Sequence, residues 1–113
     1  MIEVITRNQH AAAIVSIKGD VDLYSSPSVR QAIIALTEKK TPMILVDLQN
    51  VTYMDSSGVA TLVEGLQQTG KYKGHFKLFG LGLAVREVFE LSRLDKVFEI
   101  YPNEEAAFNS LAK

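Results

Sequence analysis

The stretch from Val46 to Val59 reads VDLQNVTYMDSSGV and joins an apolar strand pattern to a helix pattern. The run Met43–Val46 that enters it is entirely apolar, as in strands that are covered on both faces. Beyond it, apolar residues recur at the spacing of one buried helix face, at Val59, Leu62, Val63 and Leu66. A strand–turn–helix unit is therefore predicted, with Asp55–Gly58 as its turn.

Strand and helix patterns alternate on both sides of this unit. The predicted strands are Ile2–Thr6, Ala12–Lys18, Met43–Leu48, His75–Phe79 and Val97–Tyr101. A turn is predicted at Asn8–Ala11, and a helix follows each of the last four strands. The order β-β-α-β-α-β-α-β-α predicts an α/β fold, with about five strands in a mostly parallel, mixed sheet and about four helices. The first strand is expected to pair antiparallel with the second.

Capping residues delimit the predicted helices. Ser25 and Ser26 offer hydroxyls as N-caps for the first helix. Gly70 is the predicted C′ residue of the second helix, which would run to about Thr69. The dipeptide Pro102–Asn103 caps the fourth helix, whose apolar contacts are predicted at Ala107, Phe108 and Leu111.

The composition is that of a soluble globular protein. The chain has 113 residues, of which 47% are hydrophobic and 22% charged, so residues 1–113 are expected to form a single domain. A net charge of −1 gives no electrostatic footprint for nucleic acid. The N-terminus lacks the basic start of a signal peptide, and no apolar run approaches the ~20 residues of a membrane span. We expect a cytoplasmic protein without direct membrane insertion.

No metal, cofactor or hydrolytic site is expected. The chain has no cysteine, which excludes thiolate ligands, and His10 and His75 lack ligand spacing. Met54 stands where the nucleophile pattern G-x-S-x-G needs its first glycine, and neither histidine can be placed beside Ser56 as a base. The segment Gly80–Gly82 lacks the third glycine and the lysine of a phosphate loop, so it is predicted to be a turn.

The turn Asp55–Gly58 has two interpretations from the residues alone. Aspartate and serine are both good N-caps, and a strand-to-helix turn requires such a residue. A serine at a helix start is also exposed, and the free backbone N–H groups there tolerate a phosphate. The small Gly58 would let another protein's active site approach the backbone. Ser56 or Ser57 is therefore a candidate phosphorylation site.

Two further acidic residues, Asp20 and Asp22, follow the second predicted strand. On their own they would form a solvated loop. Because loops at the carboxyl ends of parallel strands share one edge of the sheet, the fold would bring these carboxylates near Ser56. They are therefore candidates for the same site.

Three stretches carry a resemblance that covers nearly the whole chain. Gly19–Asp22 fits the pattern G-[ED]-[LV]-D, and Asp47–Gly58 fits D-L-x-x-[VL]-x-[YF]-[MI]-D-S-[ST]-G. A third pattern, V-x-x-x-F-x-x-S-x-L-x-x-x-F-x-I, is matched by Val85, Phe89, Ser92, Leu94, Phe98 and Ile100. Together these motifs resemble the STAS domain family, and most of all its stand-alone bacterial anti-sigma factor antagonists.

This resemblance implies a STAS fold and a phosphorylation-switched binding module rather than an enzyme. Antagonists of the family bind a serine-kinase anti-sigma factor and so free the sigma factor that it holds. The kinase phosphorylates the first serine after the motif aspartate, which is Ser56 here, and the phosphorylated form binds poorly. A PP2C-type phosphatase restores the binding form. Ser57 is the second choice of acceptor.

The implied partner-binding residues surround this serine, and they are Asp20, Asp22, Asp55, Ser57, Gly58 and Val59. The match departs from the family at Val59–Ala60, where many antagonists have a bulkier aliphatic residue and then glycine. It departs again at Leu83, where a proline often begins the third helix.

Two other uses of the domain stay open: a STAS subunit that docks on an ABC transporter ATPase, for example in lipid transport, and a regulator of another kinase or signalling complex. On a transporter, Ser56 would be only an N-cap.

Overall fold

The computed structural model describes residues 2–9 and 12–110 of the chain. These residues contain five strands and four α-helices. The strands are β1 (Ile2–Gln9), β2 (Ala12–Val21), β3 (Met43–Met54), β4 (His75–Phe79) and β5 (Glu99–Tyr101). The helices are α1 (Ser26–Glu38), α2 (Ser56–Lys71), α3 (Leu83–Leu91) and α4 (Glu104–Asn109), and a 3₁₀ turn spans Leu94–Lys96. The predicted order of elements and the α/β fold class are confirmed.

The strands form one mixed sheet in the order β1-β2-β3-β4-β5. β1 is antiparallel to β2, as predicted, whereas the β2–β3, β3–β4 and β4–β5 pairs are parallel. Each parallel pair is joined through a helix, because a parallel connection must return to the same end of the sheet. The carboxyl ends of β2, β3 and β4 therefore lie along one edge.

Helices cover both faces of the sheet, but unequally. Alternate residues of β2 belong to two separate apolar clusters, and alternate side chains of a strand point to opposite faces. Helices α1, α2 and α3 contribute to the larger cluster through Val29, Ile33, Leu36, Leu62, Val85 and Phe89. α4 packs on the other face through the buried Ala107, and Phe108 packs against the same cluster. The predicted contact at Leu111 lies outside the described residues.

β2 and β3 are both longer than predicted. The sequence pattern ended β3 at Leu48, but the strand continues to Met54 because β2 also continues, and Gly19 pairs with Val51 and Val21 with Met54. Two irregularities in the β2–β3 register, after Ser16 and after Gly19, interrupt the alternation of buried and exposed residues. The alternation therefore fails as a signal at the point where the strands approach the Asp55–Gly58 turn.

Three other boundaries differ from the predictions. α2 runs through Gly70 to Lys71, and the left-handed backbone conformation falls at Lys73, with φ of 62°, so the prediction of Gly70 as the C′ residue is wrong. β5 begins only at Glu99, because the N–H groups of Val97 and Phe98 both donate to the carbonyl oxygen of Leu94, at the start of the 3₁₀ turn. The strand β1 continues through Asn8 to Gln9, and the rest of the predicted Asn8–Ala11 turn, His10 and Ala11, lies outside the described residues.

Among the described residues, none of the helices combines the length and the apolar character that crossing a membrane requires.

Candidate functional site

The turn between β3 and α2 is capped by Asp55. Its carboxylate oxygen Oδ1 accepts hydrogen bonds from the backbone N–H groups of Ser57 and Gly58, at 2.9 and 3.4 Å. Its own N–H donates to the carbonyl oxygen of Val21 at the end of β2, at 3.1 Å. Asp55 therefore satisfies donors at the start of α2 and also ties the turn to the neighbouring strand.

The two serines after the cap have different surroundings. Ser56 is exposed and is the first residue of α2. Ser57 is half-buried, and its carbonyl oxygen accepts a hydrogen bond from the Thr61 hydroxyl at 3.0 Å. Of the two serines, Ser56 is thus the more exposed and the more accessible to a large partner.

Gly58 is buried where α2 crosses the ends of β2 and β3. A Cβ atom at this position would lie 2.7 Å from Met54 Cγ and 2.7 Å from Val21 Cγ1. Such distances are far shorter than a van der Waals contact, so only glycine lets the helix start approach the two strands this closely. The next residue, Val59, is half-buried against the larger apolar cluster.

The loop between β2 and α1 is organised by Asp22. Its Oδ1 accepts hydrogen bonds from the backbone N–H groups of Tyr24 and Ser25, both at 3.0 Å, and from the Ser25 hydroxyl at 3.1 Å. The pKa of Asp22 is lowered, chiefly because the Ser25 N–H stabilises the ionised carboxylate. An aspartate that binds backbone N–H groups two and three residues ahead forms a local turn that fixes the loop.

The predicted hydroxyl cap of α1 is wrong. Ser25 occupies the N-cap position, but its side chain makes no capping hydrogen bond to the helix. The single proton of its hydroxyl is instead shared between the carbonyl oxygen of Asp20, at 2.8 Å, and Oδ1 of Asp22, at 3.1 Å, and its oxygen accepts from the N–H of Asp22, at 2.9 Å. The loop uses this serine to close its own turn, and Ser26 is a buried residue inside the helix.

Asp20 lies at the end of β2 rather than in a loop, and it bridges to the neighbouring strand. Its Oδ1 accepts a hydrogen bond from the Thr52 hydroxyl at 2.6 Å. Together with the Asp55–Val21 hydrogen bond, this contact joins the end of β2 to the end of β3 and to the β3–α2 turn. We call residues Asp20–Ser25 and Thr52–Val59 the serine edge; it brings together the predicted site residues.

His75 pairs with Met43 at the opposite end of β3, and His10 lies outside the described residues.

The serine edge also carries exposed apolar side chains that the sequence interpretation did not include. Leu23 is 66% exposed and Tyr24 90% exposed in the β2–α1 loop, and Tyr53 is 50% exposed near the end of β3. The available sequence signal was that Leu23 and Tyr24 are two consecutive apolar residues in a short acidic loop, outside any strand or helix periodicity.

Replacing Asp55 with alanine should lower the free energy of unfolding by about 1 kcal/mol, the usual loss for an N-cap. The two N–H groups that the carboxylate now accepts from would lose their partner. Asp55→Asn is the matched control, because its amide oxygen accepts the same bonds and it should retain most of the stability. Urea unfolding measures both, and an equal loss in the two variants would contradict the capping role.

Comparisons with known proteins each find STAS domains or anti-sigma factor antagonists. The model of the STAS domain matches residues 2–107. The anti-sigma-B factor antagonist of Listeria monocytogenes is 30% identical over 84 residues, which cover 74% of each chain. That of Bacillus subtilis is 30% identical over 86 residues, which cover 76% of this chain and 78% of the relative. The crystal structure of an anti-sigma factor antagonist from Mycobacterium paratuberculosis superposes with a TM-score of 0.92 at 28% identity, covering 100% of this chain and 96% of the other.

Proposed function

We propose that this chain, which belongs to the STAS domain family, acts as an anti-sigma factor antagonist. Relatives of that name at 30% identity support this assignment. In this role the protein binds a serine-kinase anti-sigma factor in the cytoplasm and frees the sigma factor that the kinase holds. It is a binding partner and a substrate of that kinase, not an enzyme, and residues 1–113 act as one STAS domain.

The observation that carries the proposal is the exposure of Ser56 on a turn that is otherwise fixed. The hydroxyl-bearing residue is open to solvent, while Asp55 holds the backbone on either side of it through bonds to Val21, Ser57 and Gly58. A kinase that docks on the serine edge can therefore reach the hydroxyl without unfolding α2. Ser57, half-buried one residue later, is the less accessible acceptor.

Phosphorylation of Ser56 would release the partner by charge. A phosphoserine carries about −1.5 to −2 charges at pH 7. Asp55 already occupies the N–H groups of Ser57 and Gly58, so these donors are not free to neutralise the new phosphate. In the docked complex, Ser56 must also face the terminal phosphate of the bound nucleotide for transfer to occur. Like charges at an interface cost several kcal/mol, and each 1.4 kcal/mol is tenfold in affinity.

The remaining acidic residues of the serine edge have different parts in this proposal. The carboxylate of Asp20 accepts from the Thr52 hydroxyl of β3. Asp55 ties the β3–α2 turn to β2 through its backbone N–H, while its carboxylate caps α2. Asp22 contributes through the loop that it organises. Ser57 and Val59 line the start of α2, and Gly58 acts through the close approach of the helix to the strands. A PP2C-type phosphatase completes the cycle by removing the phosphate.

The proposal is tested by a sigma-factor release assay. A serine-kinase anti-sigma factor from the same genome is combined with its sigma factor, and the purified chain is then added. The unmodified chain should bind the kinase and displace the sigma factor, whereas the chain recovered after phosphorylation should not. If the unmodified chain binds none of the serine-kinase anti-sigma factors of that genome and releases no sigma factor from them, the proposed function is wrong.

A further inference from the structure

We infer that Leu23 and Tyr24 form the apolar anchor by which the serine edge docks, and that Asp22 holds this pair outward instead of contacting the partner directly. The inference rests on the proposed function, because the occupant of the surface is the serine-kinase anti-sigma factor. It assigns to that partner an apolar recess with basic side chains around it. Asp22 thereby becomes a positioning residue for its two neighbours.

Leu23 and Tyr24 form an exposed apolar pair on the surface. Single exposed apolar residues are normal on protein surfaces, but Leu23 and Tyr24 are consecutive and 66% and 90% exposed. Tyr53, 50% exposed, lies at the end of the adjacent strand, where its neighbour in the β2–β3 register is Asp20. Large aromatic side chains dominate the binding energy of many interfaces, and tyrosine is among the most frequent.

The loop that carries the pair is also held by hydrogen bonds within this chain alone. The carboxylate of Asp22 accepts from the N–H groups of Tyr24 and Ser25, and the Ser25 hydroxyl donates to the carbonyl of Asp20. The N–H of Ser26 then donates to the carbonyl of Asp22 at 2.8 Å, where α1 begins. Because these bonds fix the backbone on both sides of Leu23, docking loses little loop entropy, which favours affinity.

These same bonds define the part played by Asp22. Its Oδ1 accepts from two backbone N–H groups inside the loop, and it shares the proton of the Ser25 hydroxyl with the carbonyl oxygen of Asp20. An asparagine could accept the same three bonds through its amide oxygen, whereas an alanine could accept none. The role of this residue can therefore be separated experimentally from a direct charge contact.

The charge of the surroundings specifies the partner. The segments Gly19–Val29 and Thr41–Gly70, which contain the serine edge, include no lysine, arginine or histidine. They contribute the carboxylates of Asp20 and Asp55 to that edge, besides that of Asp22, which binds inside its own loop. The complementary surface is thus an apolar recess with lysine or arginine side chains beside it, because complementary potentials steer docking and fix its orientation.

Binding to the kinase tests the anchor. Affinity is measured by calorimetry with the kinase loaded with ADP, so that Ser56 stays unmodified. Tyr24→Ala should raise Kd about 30-fold or more, as for a residue at the centre of an interface. Tyr24→Phe should stay close to the native Kd, because the ring and not the hydroxyl is the anchor. The matched control is Leu91→Ala: Leu91 is 86% exposed at the end of α3 that lies away from the serine edge, and its replacement should leave Kd unchanged.

Asp22 variants test the positioning role in the same assay. Asp22→Asn should bind almost as well as the native chain, whereas Asp22→Ala should lose affinity about as Tyr24→Ala does. Equal losses in Asn and Ala would show a direct charge contact and overturn the positioning role. Native Kd for Tyr24→Ala, or an effect of that variant on self-association alone, would overturn the anchor while the proposed function stands. Absence of binding by the native chain would overturn both.

Discussion

Replacing Ser56 with aspartate should weaken binding to the ADP-loaded kinase by about 100-fold, whereas Ser56→Ala should bind like the native chain. The aspartate adds one negative charge directly after Asp55, whose carboxylate already holds the N–H groups of Ser57 and Gly58. In the proposed complex this charge would also face the nucleotide phosphates of the kinase. A like-charge contact of this kind costs several kcal/mol, and two factors of ten correspond to about 2.8 kcal/mol.

The control for this experiment is an added charge elsewhere on the same helix. Gln67 is exposed on α2, eleven residues beyond Ser56 and so about 16 Å further along the helix axis. Gln67→Glu gives the same change in net charge, but it should leave Kd within about twofold, because exposed charges beyond a Debye length are largely screened. Equal binding by the Asp and Ala variants of Ser56 would contradict a switch based on charge.

Replacing Phe89 with alanine should remove about 3–5 kcal/mol from the free energy of unfolding. Phe89 has 0% exposure and joins α3 to the sheet. Its ring meets Phe98 edge to face, with centroids 5.5 Å apart, and Phe98 in turn packs near Phe76 of β4, at 6.3 Å. Because small domains are stabilised by only about 5–15 kcal/mol in total, this loss should be visible as a large shift of the urea midpoint.

Leu91→Ala is the matched control for that stability measurement. Leu91 lies two residues beyond Phe89 on the same helix but is 86% exposed, so its truncation should change stability by no more than about 0.5 kcal/mol. A loss below about 1 kcal/mol for Phe89→Ala would contradict the packing described for α3. Similar losses for the two variants would show that burial on this helix does not decide their effect.

Much of the fold could be predicted because local and global signals agree. The apolar run Met43–Val46 predicts a buried strand, and the apolar spacing after Ser56 predicts a helix with one buried face. Both elements lie where they were predicted. The antiparallel position of β1 also agrees with its prediction. The far half of β3 was missed because the register irregularities opposite β2 mix buried and exposed residues, and only the pairing with β2 makes this segment a strand.

The placement of the candidate site residues at one edge of the sheet could be predicted, but their contacts could not. The shared edge follows from parallel topology, which brings Asp20 and Asp22 to the β3–α2 turn. The uses of the side chains depend on hydrogen bonds that no local pattern reports. Ser25 was expected to cap α1 but closes the β2–α1 loop instead. Gly58 was interpreted as an opening for another protein, whereas Val21 and Met54 beneath it give it a packing role.

Ser56 is the proposed acceptor of the phosphate. Its most direct test is incubation of the full chain with a serine-kinase anti-sigma factor from the same genome and ATP, followed by mapping of the phosphate by mass spectrometry. The account predicts one phosphate per chain, located on Ser56 and absent from the Ser56→Ala variant. A chain that binds the active kinase but acquires its phosphate elsewhere, or acquires none, would contradict the account.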